Sequence, residues 1–340
     1  MDTEEVDTEE VDTEEVDTEE DEFSFLVDCA EDVGLAWDGR PQVARRHVAV
    51  GDRKMSVIVW GDAPAKIVLL HGGAQNAHTW DTLALALHLP LVAVDLPGHG
   101  QSDWRSDHDY GVPAMADDVA AVVRQTAPES SMLVGIGLGG PVALLTADRL
   151  SPLVERLVMV DSAPGAGMPN HTRPPSEAGA NVAAFTAERQ FASFEEALER
   201  AVAYNPGRSA RSLRRGVLHN AREMPDGSWE WRWDPRQQDN RDYAAEALEN
   251  ALVRFDGPVL LVRGGRSDIV RDELVAAFKG RHPSTRLITI EGAAHAVQGS
   301  HPVALAEAIR SFWAERESGQ TTQPDGLGHP GYPDHVGGGP

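Results

Sequence analysis

Two side chains and one glycine set out the chemistry this chain could do. Val134-Gly135-Ile136-Gly137-Leu138-Gly139-Gly140 has the spacing of a G-x-S-x-G turn, with serine expected on a tight strand-to-helix corner. Its centre is Gly137, which has no hydroxyl to offer. His295 follows Gly292-Ala293-Ala294, a small-residue loop from which an imidazole projects freely as a general base. Asp268, in Arg263-Gly264-Gly265-Arg266-Ser267-Asp268, comes directly after a buried-type apolar run. The plainer reading of an aspartate there is a helix cap or loop bond. His71-Gly72-Gly73 leaves another apolar run, and the Gly73 N–H is a candidate donor to a developing oxyanion. The N–H of Leu138, at a helix start, is the second.

The elements that must position these groups are legible from periodicity. Val43 to Val50 and Met55 to Trp60 read as antiparallel strands joined by Gly51-Asp52-Arg53-Lys54. Strands follow at Lys66 to Leu70, Leu91 to Asp95, Met132 to Ile136, Arg156 to Asp161, Pro258 to Val262 and Arg286 to Ile290. Helices fit Trp80 to Leu89, Met115 to Thr126, Leu138 to Leu150 and His301 to Glu315. This alternation implies an α/β fold, a mostly parallel sheet with helices on both faces. In such sheets ligands bind at the carboxyl ends of the strands, where His71, Asp95, Gly137, Asp161, Asp268 and His295 all fall. Asp95 and Ser102 read as loop structure, and His99 and Trp104 as candidate pocket lining. The organisation expected is an acidic, unstructured leader over 1–40, a core over 41–162 and 251–316, and a helical lid over 163–250. A Gly- and Pro-rich unstructured tail completes it over 317–340.

The net charge of −24 is concentrated in the leader. Four Asp-Thr-Glu-Glu copies, starting at Asp2, Asp7, Asp12 and Asp17, run into Asp21-Glu22 and bring 14 carboxylates with no Lys or Arg. Such a segment repels itself and reads as a solvated tail or an interaction tail. The rest is mildly acidic, which argues against nucleic acid and anionic membrane as partners. One cysteine, Cys29, rules out an intramolecular disulfide. No apolar run reaches membrane-spanning length, and the acidic start is unlike a signal peptide, so the expected location is cytoplasmic. His329 and His335 lack metal-ligand spacing, and no cofactor or metal is expected.

Taken in order, His71-Gly72-Gly73, Asp95-x-x-Gly98-x-Gly100-x-Ser102, the glycine turn, Arg263-Gly264-Gly265-x-x-Asp268 and Gly292-x-x-His295 are together specific. From about Val43 to Glu315 the chain resembles the α/β-hydrolase fold superfamily, in its actinobacterial, lid-bearing type, with glycine where the nucleophile serine stands. The resemblance implies that Asp268 orients His295, with Asp161 as the second choice, and that Gly73 and Leu138 form the oxyanion hole. It also implies that no acyl-serine can form at Gly137.

Three readings follow. In the first, the chain hydrolyses an ester or C–C bond of a small or medium apolar carbonyl substrate, His295 and Asp268 acting as general base on water or substrate. Phe185, Phe191, Phe194 and Trp229 in the lid suggest the apolar pocket, although they could equally pack on the core. In the second, the protein binds a ligand without turnover. In the third, a serine hydrolase has lost its serine in this copy.

Overall fold

The computed structural model describes residues 21–166, 185, 188–204, 208–238 and 243–315. The expected tail over 317–340 lies outside them, as do residues 1–20 of the leader. Eight strands form one sheet in the order β1-β2-β4-β3-β5-β6-β10-β11. They are β1 (Val43–Val50), β2 (Arg53–Trp60), β3 (Ile67–Leu70), β4 (Leu91–Val94), β5 (Met132–Ile136), β6 (Arg156–Val160), β10 (Val259–Gly264) and β11 (Arg286–Ile290). β2 runs antiparallel to both β1 and β4, and the remaining pairs are parallel.

The central strands are short apolar runs because both of their faces are covered. Val68 and Leu70 of β3 enter one core, while Ile67 and Leu69 enter the other, as the period of two requires. Helices α3 (Val112–Thr126), α4 (Gly139–Arg149), α7 (Ala245–Arg254) and α8 (Asp272–Arg281) contribute to the first core. The second is covered by α1 (Leu26–Glu31), α2 (Asp81–Leu87) and α9 (Pro302–Ala314).

Local chemistry sets the boundaries. The hairpin turn is the two-residue Gly51-Asp52, so β2 begins two residues before the expected Met55. α2 stops at Leu87 rather than Leu89, with His88 in the left-handed region at φ 51° just ahead of Pro90. α3 starts three residues early because Pro113 is tolerated in a first helical turn.

The leader differs from expectation over its described part. Phe23, Leu26, Cys29 and Ala30 are buried, and residues Leu26–Glu31 form α1 against the second core. Their spacing puts one apolar face on a single helical turn and a half, a signal too short to stand out beside the acidic repeats.

Between β6 and β10 lies an inserted segment with its own core. It holds α5 (Phe194–Tyr204), α6 (Ala210–Asn220) and a small sheet, β7 (Gln190–Phe191)-β9 (Trp229–Trp231)-β8 (Ala221–Glu223). The segment is therefore helical and stranded. Trp229 and Trp231 alternate with Glu230 and Arg232 at strand period. Phe191, Phe194, Trp231 and Trp233 pack together, with Phe185 and Trp229 against them. These aromatics form the segment's own core, the plainer of the two roles open to them from sequence.

Candidate active site

β3, β5 and α4 meet at the glycine turn, and sterics dictate its composition. A Cβ on Gly135 would lie 2.1 Å from Gly139 O, and one on Gly139 would lie 2.2 Å from Leu70 O. Strand and helix can approach this closely only without side chains at these positions. Gly137 is different. Its φ is +51°, the strained conformation of the turn's centre, yet a Cβ there would meet no backbone closer than Gly72 Cα at 3.7 Å. The atom such a Cβ would approach first is His295 Nε2, at 3.3 Å. A side chain would face the imidazole, which must give by a few tenths of an ångström to admit it.

His295 stands five residues beyond β11 and is partly exposed. Its Nδ1 is 2.8 Å from Asp161 Oδ2. Asp161 is fully buried at the end of β6, with φ +43°, a conformation aspartate tolerates better than most residues. Its carboxylate also accepts from Gly264 N at 3.3 Å and from the Ser267 hydroxyl. A carboxylate so held fixes the imidazole tautomer, with Nδ1 protonated and Nε2 turned to the space beside Gly137.

The orienting partner expected was Asp268, and the structure brings Asp161 to His295 instead. Asp268 is 38% exposed, and its Oδ2 is 4.0 Å from Arg271 Nη2. The reason is topological. β6 lies directly beside β5, so the residue ending β6 is one strand from the glycine turn. Asp268 lies four residues past the end of β10, beyond the turn at Gly265 and Arg266. Ser267, a donor to Asp161, was not singled out from sequence; its place in the Arg263 to Asp268 motif was the only signal.

The N–H groups of Gly73 and Leu138 take no acceptor among the described residues. Gly73 is chained to Gly72, whose Cα faces the turn's centre. The surrounding histidines are structural. Burial holds His71 below the ordinary histidine range, with Nδ1 on Gly72 O at 2.7 Å and Nε2 accepting from Leu96 N at 3.0 Å. His99 Nε2 accepts from Ala74 N at 3.2 Å. Asp95 accepts from Arg45, Ala77 N and Gln101 N, and Ser102 donates to its carbonyl at 2.6 Å.

Among the described residues, the hydroxyl beside the turn is already engaged and the one thiol lies on α1. Ser162 Oγ donates to Gly137 O at 2.8 Å. Cys29 is buried, and burial followed by the Asp81 charge pushes its thiol up to about 11.

Comparison with known proteins identifies the architecture. The Alpha/beta hydrolase family profile matches residues 67–308. This chain belongs to that family. It is 38% identical over 291 residues to the esterase Rv0045c of Mycobacterium tuberculosis, covering 85% of this chain and 95% of that one. It is 30% identical over 265 residues to the pimeloyl-[acyl-carrier protein] methyl ester esterase of Aeromonas salmonicida, covering 76% and 98%. The crystal structure of Rv0045c superposes with a TM-score of 0.74 at 37% identity, covering 87% of this chain and 99% of that one. These relatives of the hydrolase family are esterases. No helix among the described residues is long and apolar enough to cross a membrane.

One other cluster has metal-ligand chemistry. His78, Asp81 and His219 place ligand atoms within 4.8 Å of one another, among the described residues. The two rings are stacked, centroids 3.7 Å apart and planes 13° from parallel. Lone pairs in parallel planes do not converge on one ion, so the trio as it stands is a hydrogen-bonded stack.

Proposed function

We propose that this chain is a hydrolase of small or medium, mainly apolar esters that attacks its substrate with water directly. The observation that carries this reading is the room beside Gly137, bounded by His295 Nε2, together with an intact His295–Asp161 pair.

A water in that space donates to Nε2 and faces the substrate carbonyl. His295 takes a proton as the water oxygen bonds to the carbonyl carbon, and Asp161 stabilises the imidazolium formed. The negative charge moves to the carbonyl oxygen, between the N–H groups of Gly73 and Leu138. The C–O bond then breaks, His295 returns the proton to the departing alkoxide, and acid and alcohol leave. The same pair would serve cleavage of an activated C–C bond. The ester is favoured because the relatives at 38% and 30% identity are esterases. The substrate is a small molecule and the location is cytoplasmic in this reading.

The test is steady-state and rapid-mix hydrolysis of p-nitrophenyl esters of two to eight carbons, with intact-mass analysis of the protein during turnover. Turnover with neither a burst nor an acylated protein supports the reading. An acyl adduct on any residue overturns it. Saturable ester binding without turnover identifies a binding protein instead.

A further inference from the structure

A groove of about 480 Å³ lies away from Gly137, between β1/β2, the loop at 100–104 and the inserted segment. His47, Lys54, Arg222 and Arg232 bring positive or protonatable groups to it, against the single carboxylate of Asp103. Asp103 is already engaged, accepting the Lys54 backbone N–H at 2.6 Å. Arg222 is paired with Glu230 and lies over the Trp104 ring at 5.6 Å. Arg232 spends its Nε on Ala221 O at 3.0 Å. Burial, then the charges of Arg222 and Arg45, hold Arg232 below the usual arginine range. Burial, then Lys54 and Arg45, hold His47 below the ordinary histidine range. Lys54, Arg222 and Arg232 thus outnumber the carboxylates of Asp103 and Glu230 around the groove, on a chain whose net charge is −24.

The described chain begins within electrostatic reach of this groove. Glu22 accepts from Arg45 Nε at 2.8 Å, and Arg45 is two residues from His47 on β1, about 7 Å along the same face. Glu22 is close enough to act electrostatically on both His47 and Arg232. Residues 1–20, outside the described part, carry 12 carboxylates and no cation but the amino terminus. Twenty residues can span at most about 70 Å, ample to return to a groove next to their own root. Tethering makes such an encounter intramolecular.

We propose that the groove is the docking site of the chain's own N-terminal Asp-Thr-Glu-Glu repeats, which bind through their carboxylates. Arg222 and Arg232 belong to the inserted segment, whereas His47 and Lys54 belong to the main sheet. A docked repeat therefore bridges the two parts, and the period-five repetition offers the groove four equivalent registers.

Carbodiimide coupling of the full-length chain tests this, because it joins a lysine amine to a carboxylate only in direct contact. The chain has three lysines, so Lys66 and Lys279 serve as internal references for Lys54. At 20 mM salt, Lys54 should couple to carboxylates between Asp2 and Glu20 at least fivefold more than either reference does. The excess should vanish in 0.5 M NaCl, since such pairing is screened. It should also fall at least threefold in Arg222→Gln and in Arg232→Gln, each checked for folding by thermal melt. Equal coupling of the three lysines overturns the proposal. Coupling that persists in high salt and in both folded variants does the same. Adducts that join ¹⁵N-labelled to unlabelled chains in a mixed sample assign the groove to a second copy, and reject self-docking.

Discussion

Placing a hydroxyl at the turn's centre gives the sharpest consequence of the geometry. In Gly137→Ser the new Cβ would lie 3.3 Å from His295 Nε2 and 3.7 Å from Gly72 Cα, without backbone overlap. Its Oγ, one bond further, falls within hydrogen-bond reach of Nε2. The backbone already holds φ at +51°, so the substitution costs about 1–2 kcal/mol of left-handed strain, and the imidazole must yield by a few tenths of an ångström. In a serine protease, loss of the nucleophile lowers turnover by roughly 10⁶, with about 10³–10⁴ over water left to the oxyanion hole and binding. A serine placed beside His295 should gain a sizeable part of that span. We expect kcat on p-nitrophenyl butyrate to rise at least about 10²-fold, about 2.7 kcal/mol off the barrier, with an acylated protein visible by mass. Gly137→Ala carries the same strain without the hydroxyl and puts a methyl where the water is proposed. It should fall below the natural chain in turnover. A folded Gly137→Ser with less than a tenfold gain and no acyl adduct would refute the reasoning.

Two further outcomes follow from the side-chain partners. Asp161→Asn presents an amide to His295 Nδ1 and favours the wrong tautomer, so turnover should drop by on the order of 10³-fold or more, whereas Asp268→Asn should stay within a few-fold. Equal losses in both variants would show that His295 is not oriented as described. The His78 stack sets a pH dependence. Burial works against a charge on His78, but Asp81 and Glu22 outweigh it and Arg45, and its pKa is raised to about 9. The folded state thus holds that proton more tightly than the unfolded chain. This contribution, about 3 kcal/mol at most, is fully present below about pH 6.5 and lost as pH rises through about 9. Its stacked neighbour His219 is held well below the usual range, first by burial and then by the His78 charge, so its own effect appears only on acidification. Thermal melts from pH 6 to 10 should show His78→Gln with a flatter alkaline decline than the natural chain; parallel declines would contradict the assignment.

Much of the fold could be read from residues because its strands are buried on two faces. Ile67 to Leu70 or Met132 to Ile136 could hardly be anything but central strands. The glycine turn and His295 were legible for a related reason: small residues at fixed spacing mark close backbone approach. The choice between Asp161 and Asp268 was not legible, because both follow apolar runs and only the lateral order of strands decides which one meets His295. Strand order is a long-range property that periodicity does not carry. Helix α1 was hidden by composition, since Phe23, Leu26, Cys29 and Ala30 are few against the acidic residues around them. The aromatics of the inserted segment were ambiguous for the opposite reason. Phe191 and Phe194 are conspicuous apolar groups, and a small segment needs them for its own core before any can line a pocket.

The central claim is that His295 does the proton chemistry of a hydrolase with glycine at the centre of its strand-to-helix turn. It is tested most directly by ester turnover of the natural chain beside His295→Ala, each purified to the same specific standard and confirmed folded. The account predicts measurable turnover that falls by at least 10²-fold in the variant. Turnover that is unchanged by removing the imidazole would contradict it.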